Sequence, residues 1–324
     1  MIALKHRLVT RADLDGVACA VLLNELELID DVLFTHPADV IDGLVEIGSR
    51  DLLANLPYVA TAHRVFDHRS PPQLRSTAHV CNHVLDPNSP SAARLIWLHY
   101  GGNFSMPHVR ESMLDAVDQS SQAKFTIEDI LHPAGWILLN FIMDSRTGLG
   151  RFRRFGISNL QLMHALVSMC QTQDIDEILQ TADVRERVEL YKAHEGRAVD
   201  QMLEAAHQQG KTLLLDLRAQ DPIWAANRFV PYALFPQCSI VIRRMWGRDR
   251  RNTVFALGRS IFDRSSTVDI GALCERYGGS GHAFAGTCQI EHSMADKVLD
   301  ELLQAVQDDP SERFLGLKSP RDGH

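Results

Sequence analysis

The sequence predicts an α/β protein with a mostly parallel N-terminal sheet, helices on both of its faces, a helical linker and a smaller C-terminal α/β domain. Three observations carry that prediction. Through the first 90 residues, short apolar runs that end in polar turns alternate with helical stretches, as in a parallel sheet covered on both sides. Between residues 91 and 209 the apolar spacing is helical, and strand-like runs return after residue 210. The expected divisions are 1–190 for the first domain, 191–210 for the helical linker, 211–308 for the second domain and 309–324 for a disordered tail.

Taken in order, residues 7–10 form the first strand, and 16–28 a helix whose apolar face comprises Val17, Val21, Leu22, Leu26 and Leu28. Residues 31–35 make a second strand ending at His36-Pro37, with Asp39 close behind. A third, 51–54, breaks at Asn55-Leu56-Pro57; a fourth, 64–66, meets Asp67-His68-Arg69; a fifth covers 79–84. Helices follow at 91–100, stopped by Gly101-Gly102, and at 109–120. The apolar segment 136–143 runs into Asp144 and a loop containing arginine and glycine, and helices continue over 156–172 and 175–209. The second domain reads as strands at 212–217, 239–245, 252–257 and 287–291, with helices at 270–277 and 295–307.

Composition narrows the class. A chain of 324 residues, 45% hydrophobic and 23% charged, can bury two sizeable cores. No apolar run approaches the roughly 20 residues that span a bilayer, and the N-terminal residues lack a signal-peptide pattern. The six cysteines are scattered without a CxxC pair, which argues against a disulfide framework and a thiolate zinc site and fits a cytoplasmic location. With a net charge of −8, any nucleic-acid contact must be local rather than a property of the whole field.

The chemistry concentrates at the predicted strand ends. Asp13 and Asp15 stand one residue apart, so in an extended segment they point to one side. Two carboxylates beside a helix N-terminus suit a divalent cation with a phosphate. A plainer reading makes Asp15 the cap of its own helix. Ligands of parallel sheets bind beyond the carboxyl ends of the strands, and Asn55, Asp67 and His68 fall there too. His36 and Asp39 read as a surface turn, and His63, His79 and His83 as ordinary histidines. Arg11 and Arg69 have two readings of equal weight, partners of Asp13 or Asp67 or binders of phosphate. Farther on, five arginines surround Trp246 between residues 243 and 251. They either meet a nucleic-acid backbone or form a solvated hairpin tip, the reading preferred for an acidic chain.

Asp13-Leu14-Asp15-Gly16, Asp67-His68-Arg69, Asp144 before its loop, and Gly278-Gly279-Ser280-Gly281-His282 followed by Ala285-Gly286 together resemble the motifs of the DHH phosphoesterase family and its glycine-rich associated C-terminal domain. The resemblance is greatest to the exopolyphosphatase-like subgroup, which includes phosphodiesterases of short oligonucleotides and cyclic dinucleotides. It implies a hydrolase acting on a phosphodiester or phosphoanhydride in a cleft between domains, with Mn²⁺ or Mg²⁺ as cofactor. By position it makes Asp13, Asp15, Asp67, His68 and Asp144 metal ligands, Asp67, His68 and Arg69 catalytic, and Arg11, Arg259, Gly278, Gly279, Gly281 and His282 contacts for substrate phosphate. The implied partners are a nucleotide, short nucleic acid or polyphosphate, with no membrane; a homodimer is left open. Three positions depart from the family pattern: Arg11 and Val9 where a histidine is usual, Asn55 where an aspartate bridges the ions, and Arg69 where the last histidine stands. Arginine cannot ligate a cation, so one ion, two or none remain open. A nucleotide-binding protein that kept the fold and lost turnover is the alternative.

Overall fold

The computed structural model describes residues 5–69 and 81–307. The chain divides into two compact units, Met1–Tyr191 and Lys192–His324.

The first unit opens with strand β1 (His6–Arg11), helix α1 (Leu14–Glu25) and strand β2 (Ile29–Thr35). α2 (Pro37–Ile41), β3 (Asp51–Ala54), β4 (Arg64–Asp67) and β5 (His83–Leu85) follow. The strands form one parallel sheet in the order β2-β1-β3-β4-β5. The register sets Thr10 beside Ala54, Ala54 beside Phe66 and Arg11 beside Thr35, so the carboxyl ends of β1 to β4 finish at one level. The residues after each strand therefore emerge on a common edge. All four residues of β3 are buried, the burial expected of a strand covered on both faces.

One face of the sheet is covered by α1, whose residues 14–23 are all buried. α1 packs against α3 (Ala92–His99), α4 (Glu111–Ser121) and α7 (Asn159–Thr172). On the opposite face Val9, Leu53 and Val65 pack with Val40 of α2 and with Leu56 and Ala62. There a short helix and a loop do the work that the sequence assigns to longer helices. α5 (Ile127–Leu131), α6 (Gly135–Met143), α8 (Ile175–Gln180) and α9 (Ala182–Glu204) complete the helical part.

Several expected boundaries change. α1 begins at Leu14 rather than at residue 16, because the cap is Asp13, whose side chain accepts from Gly16 N. The helix expected over 175–209 is interrupted at Thr181, which is extended, and ends at Glu204. Residues 206–209 are instead an edge strand, β6 (Ala206–Gln209), paired antiparallel with β7 (Thr212–Asp216). Pairing at a sheet edge gives those backbone groups partners that an exposed helix end would lack. Residues 79 and 80 of the expected fifth strand, with His79, and the 309–324 tail lie outside the described residues.

In the second unit β6 and β7 are joined by β8 (Ile240–Trp246), β9 (Thr253–Arg259), β10 (Ser280–His282) and β11 (Ala285–Ile290), after α10 (Val230–Leu234) and with α11 (Ile270–Glu275) between β9 and β10. They make a mixed sheet in the order β10-β11-β9-β8-β7-β6. Ile242, Phe255 and Leu257 pack against Leu273 of α11 and against Leu302 and Val306 of α12 (His292–Gln307). Among the described residues no helix is long and apolar enough to cross a membrane.

Candidate active site

The site is built on the level ends of β1, β3 and β4. Asp13 caps α1, accepting from Gly16 N at 3.0 Å. A β-carbon on Gly16 would stand 2.0 Å from the Arg11 carbonyl oxygen, so only glycine lets α1 begin this close to β1. Arg11 Nε lies 3.1 Å from Asp13 Oδ2, and Asn55 Nδ2 donates to both Asp13 oxygens at 3.2 and 3.3 Å. Asn55 holds a left-handed backbone, φ 56°, a conformation asparagine tolerates better than most residues. Its Oδ1 is buried without a hydrogen-bond partner.

Asp15 is buried and does not cap its own helix. Its oxygens accept from Ala92 N at 3.1 Å and Ala93 N at 2.8 Å, the first amides of α3. Burial, and next the negative charge of Asp13, push the Asp15 carboxyl up to about 7. Asp13 is also raised by burial, although Arg11, the Gly16 amide, Arg69 and Arg146 all pull it down. Of these guanidinium groups Arg11, at the end of β1, is the one in direct contact with Asp13.

Asp67 and His68 are both buried. Asp67 Oδ1 accepts from Arg69 N at 2.8 Å, and His83 Nε2 lies 3.2 Å from its Oδ2. Arg69 Nε donates to His68 Nε2 at 2.9 Å. Because a guanidinium only donates, the imidazole is neutral with its hydrogen on Nδ1, which is buried without a partner. Burial, and then the charge of Arg69, lower His68 to about 4. Arg69 is steadied from the other side by Ser121 Oγ, which accepts from Nη2 at 2.8 Å.

Asp144 lies at the carboxyl end of α6 and pairs with Arg146. Arg146 grips it with Nε at 2.7 Å and Nη2 at 2.6 Å, and the Arg146 amide adds 2.9 Å. Thus Arg11, Asp13 and Asn55 are in contact beside Asp15, Asp67, His68 and Arg69 form a second group with His83 and Ser121, and Asp144 pairs with Arg146. Among the described residues, no group of three or more His, Cys, Asp or Glu is arranged around a shared ion position. The Asp13–Asp15 pair with Asn55 nevertheless fits one divalent cation. The charge of Asp13 raises the buried Asp15, a buried Asn55 oxygen lacks a partner, and all the donors are hard oxygens.

Sequence reasoning read His83 as an ordinary histidine, whereas it contacts Asp67, and it passed over Ser121 and Arg146. Nothing near His83 or Ser121 in the sequence marks them. Arg146, two residues after Asp144, has the spacing to fold back on it. His36 and Asp39 turn out to be a reciprocal cap of α2, with Ala38 N donating to His36 Nδ1 and His36 N to Asp39.

In the second unit, Gly278 turns the chain after α11 with φ 70°. Gly279 and Gly281 answer to a neighbouring strand: β-carbons there would stand 2.2 Å from Thr287 O and 2.4 Å from Ala285 O. His282 is exposed, and its Nδ1 accepts from Phe284 N at 3.3 Å. The Arg259 guanidinium lies over the Phe284 ring, 4.9 Å from its centre. In the arginine run around Trp246, Arg248, Arg250 and Arg251 form an exposed hairpin tip, and the other two are engaged. Arg243 donates to the Arg228 carbonyl at 2.6 Å, Arg244 is buried and pairs with Asp216 and Asp296, and Arg250 pairs with Asp221.

No family model and no curated protein matches the chain. Solved structures do. A pGpG-specific phosphodiesterase, PggH from Vibrio cholerae, is 51% identical, covers 94% of this chain and 100% of its own, and superposes with a TM-score of 0.85. At the level of fold alone, a DHH domain from a member of a ribosomal-protein family is 11% identical, with 94% of this chain and 87% of that one covered and a TM-score of 0.57. An exopolyphosphatase-related protein from Bacteroides fragilis is 12% identical, with 97% and 94% covered and a TM-score of 0.52. With a relative half identical along its whole length and the motif residues gathered at the strand ends, the chain belongs to the DHH phosphoesterase family and is a phosphoester hydrolase.

Proposed function

We propose that this chain hydrolyses the phosphodiester of a short linear oligonucleotide, with pGpG as the first substrate to test. The observation that carries the reading is the 51% identity to a pGpG-specific phosphodiesterase over 94% of the chain. The clustered arginines support it. Arg11 and Arg146 are partly exposed, at 30% and 53%, so a phosphate can replace a carboxylate as their partner, and guanidinium forks match phosphate oxygens in pairs. Arg69 is aimed by His68 and Ser121 and would grip the same phosphate. Asp67, fixed by His83 and the Arg69 amide, holds the loop that presents Arg69. In the second unit, Arg259 and His282 would contact substrate phosphate. A Mn²⁺ or Mg²⁺ ion held by Asp13, Asp15 and Asn55 would supply charge neutralisation and an activated water.

The test is turnover of pGpG with added Mn²⁺, with Mg²⁺ and with chelator, for the wild type and for Asp13→Asn. Asparagine caps a helix as well as aspartate does, so the variant should keep its melting temperature while kcat falls roughly 10³-fold. Unchanged turnover in Asp13→Asn would sink the assignment of this site. Tight pGpG binding with no turnover under any of the three conditions would favour the nucleotide-binding alternative.

A further inference from the structure

Phe284 has no place in the phosphate chemistry, yet its setting is particular. It lies in the two-residue turn between β10 and β11, after His282 and before Ala285. Hairpin turns of this length favour Asn, Asp and Gly, and a side chain 61% exposed gains little from burial. The turn that carries it is nevertheless held in place. Phe284 O accepts from Arg259 N at 2.9 Å, Phe284 N donates to His282 Nδ1 at 3.3 Å, and the Arg259 guanidinium covers one side at 4.9 Å. The His282 ring centre is 6.3 Å from that of Phe284. An exposed aromatic ring thus has a cation from the end of β9 over it and the tilted imidazole of the glycine-rich segment 6.3 Å away, and the guanidinium carries no ion pair among the described residues.

The geometry points to Phe284 as a stacking platform for a nucleobase whose adjoining phosphate is held by Arg259 and His282. The inference rests on the phosphodiesterase reading and makes it narrower: the substrate carries a base, so an unadorned polyphosphate is a poor fit. Base–aromatic stacking is tolerant of sequence and contributes about 1–3 kcal/mol per base, whereas a guanidinium and an imidazole alone would treat all phosphate chains alike.

The experiment is calorimetric binding of pGpG and of tripolyphosphate to the full chain as wild type, Phe284→Ala and Phe284→Trp, with turnover of pGpG followed in parallel. Phe284→Ala should weaken pGpG about tenfold, in the range of one stacked base, and leave tripolyphosphate within about twofold. Phe284→Trp should restore pGpG binding, because indole stacks as well as phenyl. The inference is overturned if wild type does not bind pGpG more tightly than tripolyphosphate, if Phe284→Ala leaves pGpG unaffected, or if it weakens both ligands equally. Phe284-dependent binding without turnover would leave the platform standing and count against hydrolysis only.

Discussion

The two units each contain a cluster of aspartates and arginines, and the clusters behave in opposite ways. In the second unit Asp216 is gripped by Arg218 at 2.7 to 3.2 Å and by Arg244 at 3.7 Å, and Arg244 also pairs with Asp296. Burial works to raise Asp216, but hydrogen bonds from Arg218 and the attraction of Arg244 outweigh it and hold it below the usual carboxylate range. In the first unit Asp13 and Asp15 are pushed up, although Arg11, Arg69 and Arg146 pull Asp13 down and Arg69 does the same to Asp15. The same residue types therefore make a closed structural pair in one place and an under-compensated charge centre in the other. Raised carboxylates next to a buried amide oxygen without a partner mark a site that gains by taking up a ligand.

That contrast can be broken by mutation. The largest effect on the fold is expected from Asp216→Ala. It leaves Arg244, only 4% exposed, with Asp296 as its remaining carboxylate partner and should cost roughly 4 kcal/mol in denaturant unfolding, while turnover per folded molecule stays unchanged. A parallel loss of activity at full folding would mean that the second cluster is functional after all.

Next comes His68, whose folded pKa of about 4 lies below the ordinary 6.5. The unfolded chain takes up this proton first, so the contribution of neutral His68 is complete above pH 6.5 and fades as the pH falls toward 4. It amounts to at most about 3 kcal/mol. Asp15 runs the other way in this window, since a raised carboxyl favours the folded state at lower pH. The difference between wild type and His68→Gln, measured by urea unfolding from pH 7 to 4, isolates the histidine. A pH-independent difference would show that His68 is not held neutral.

The smallest stability effect belongs to Arg146→Gln. This pair is partly exposed, so its loss should move stability by less than about 1 kcal/mol. The pGpG dissociation constant should nonetheless rise about tenfold. If stability moved and affinity did not, Arg146 would be a structural partner like Arg218.

Much of the fold is legible because the strands end at polar residues and helices fill the intervals. The expected ends of β1, β3 and β4 agree with the observed ones to within one residue. What escapes has identifiable physical causes. β6 carries Gln208 and Gln209, with no apolar alternation to separate it from the preceding helix; its identity comes from pairing with β7. Asp15 reads as a partner of its own helix because a local cap is the nearest use for it, whereas its amides come from Ala92 and Ala93, 77 and 78 residues away. Short motifs single out Asp13, Asp67 and His68. His83, which touches Asp67, sits in a strand with no motif, and Ser121 is the last residue of a helix.

The long span between Asp15 and its amide donors has a consequence for synthesis. A chain emerging from the ribosome exposes the paired acids early, but their counterweight arrives only when residue 93 has cleared the exit tunnel. Until then Asp13 has Arg11 beside it but Asp15 lacks its amide donors, and a fragment that stops short of α3 is expected to leave that corner open to water.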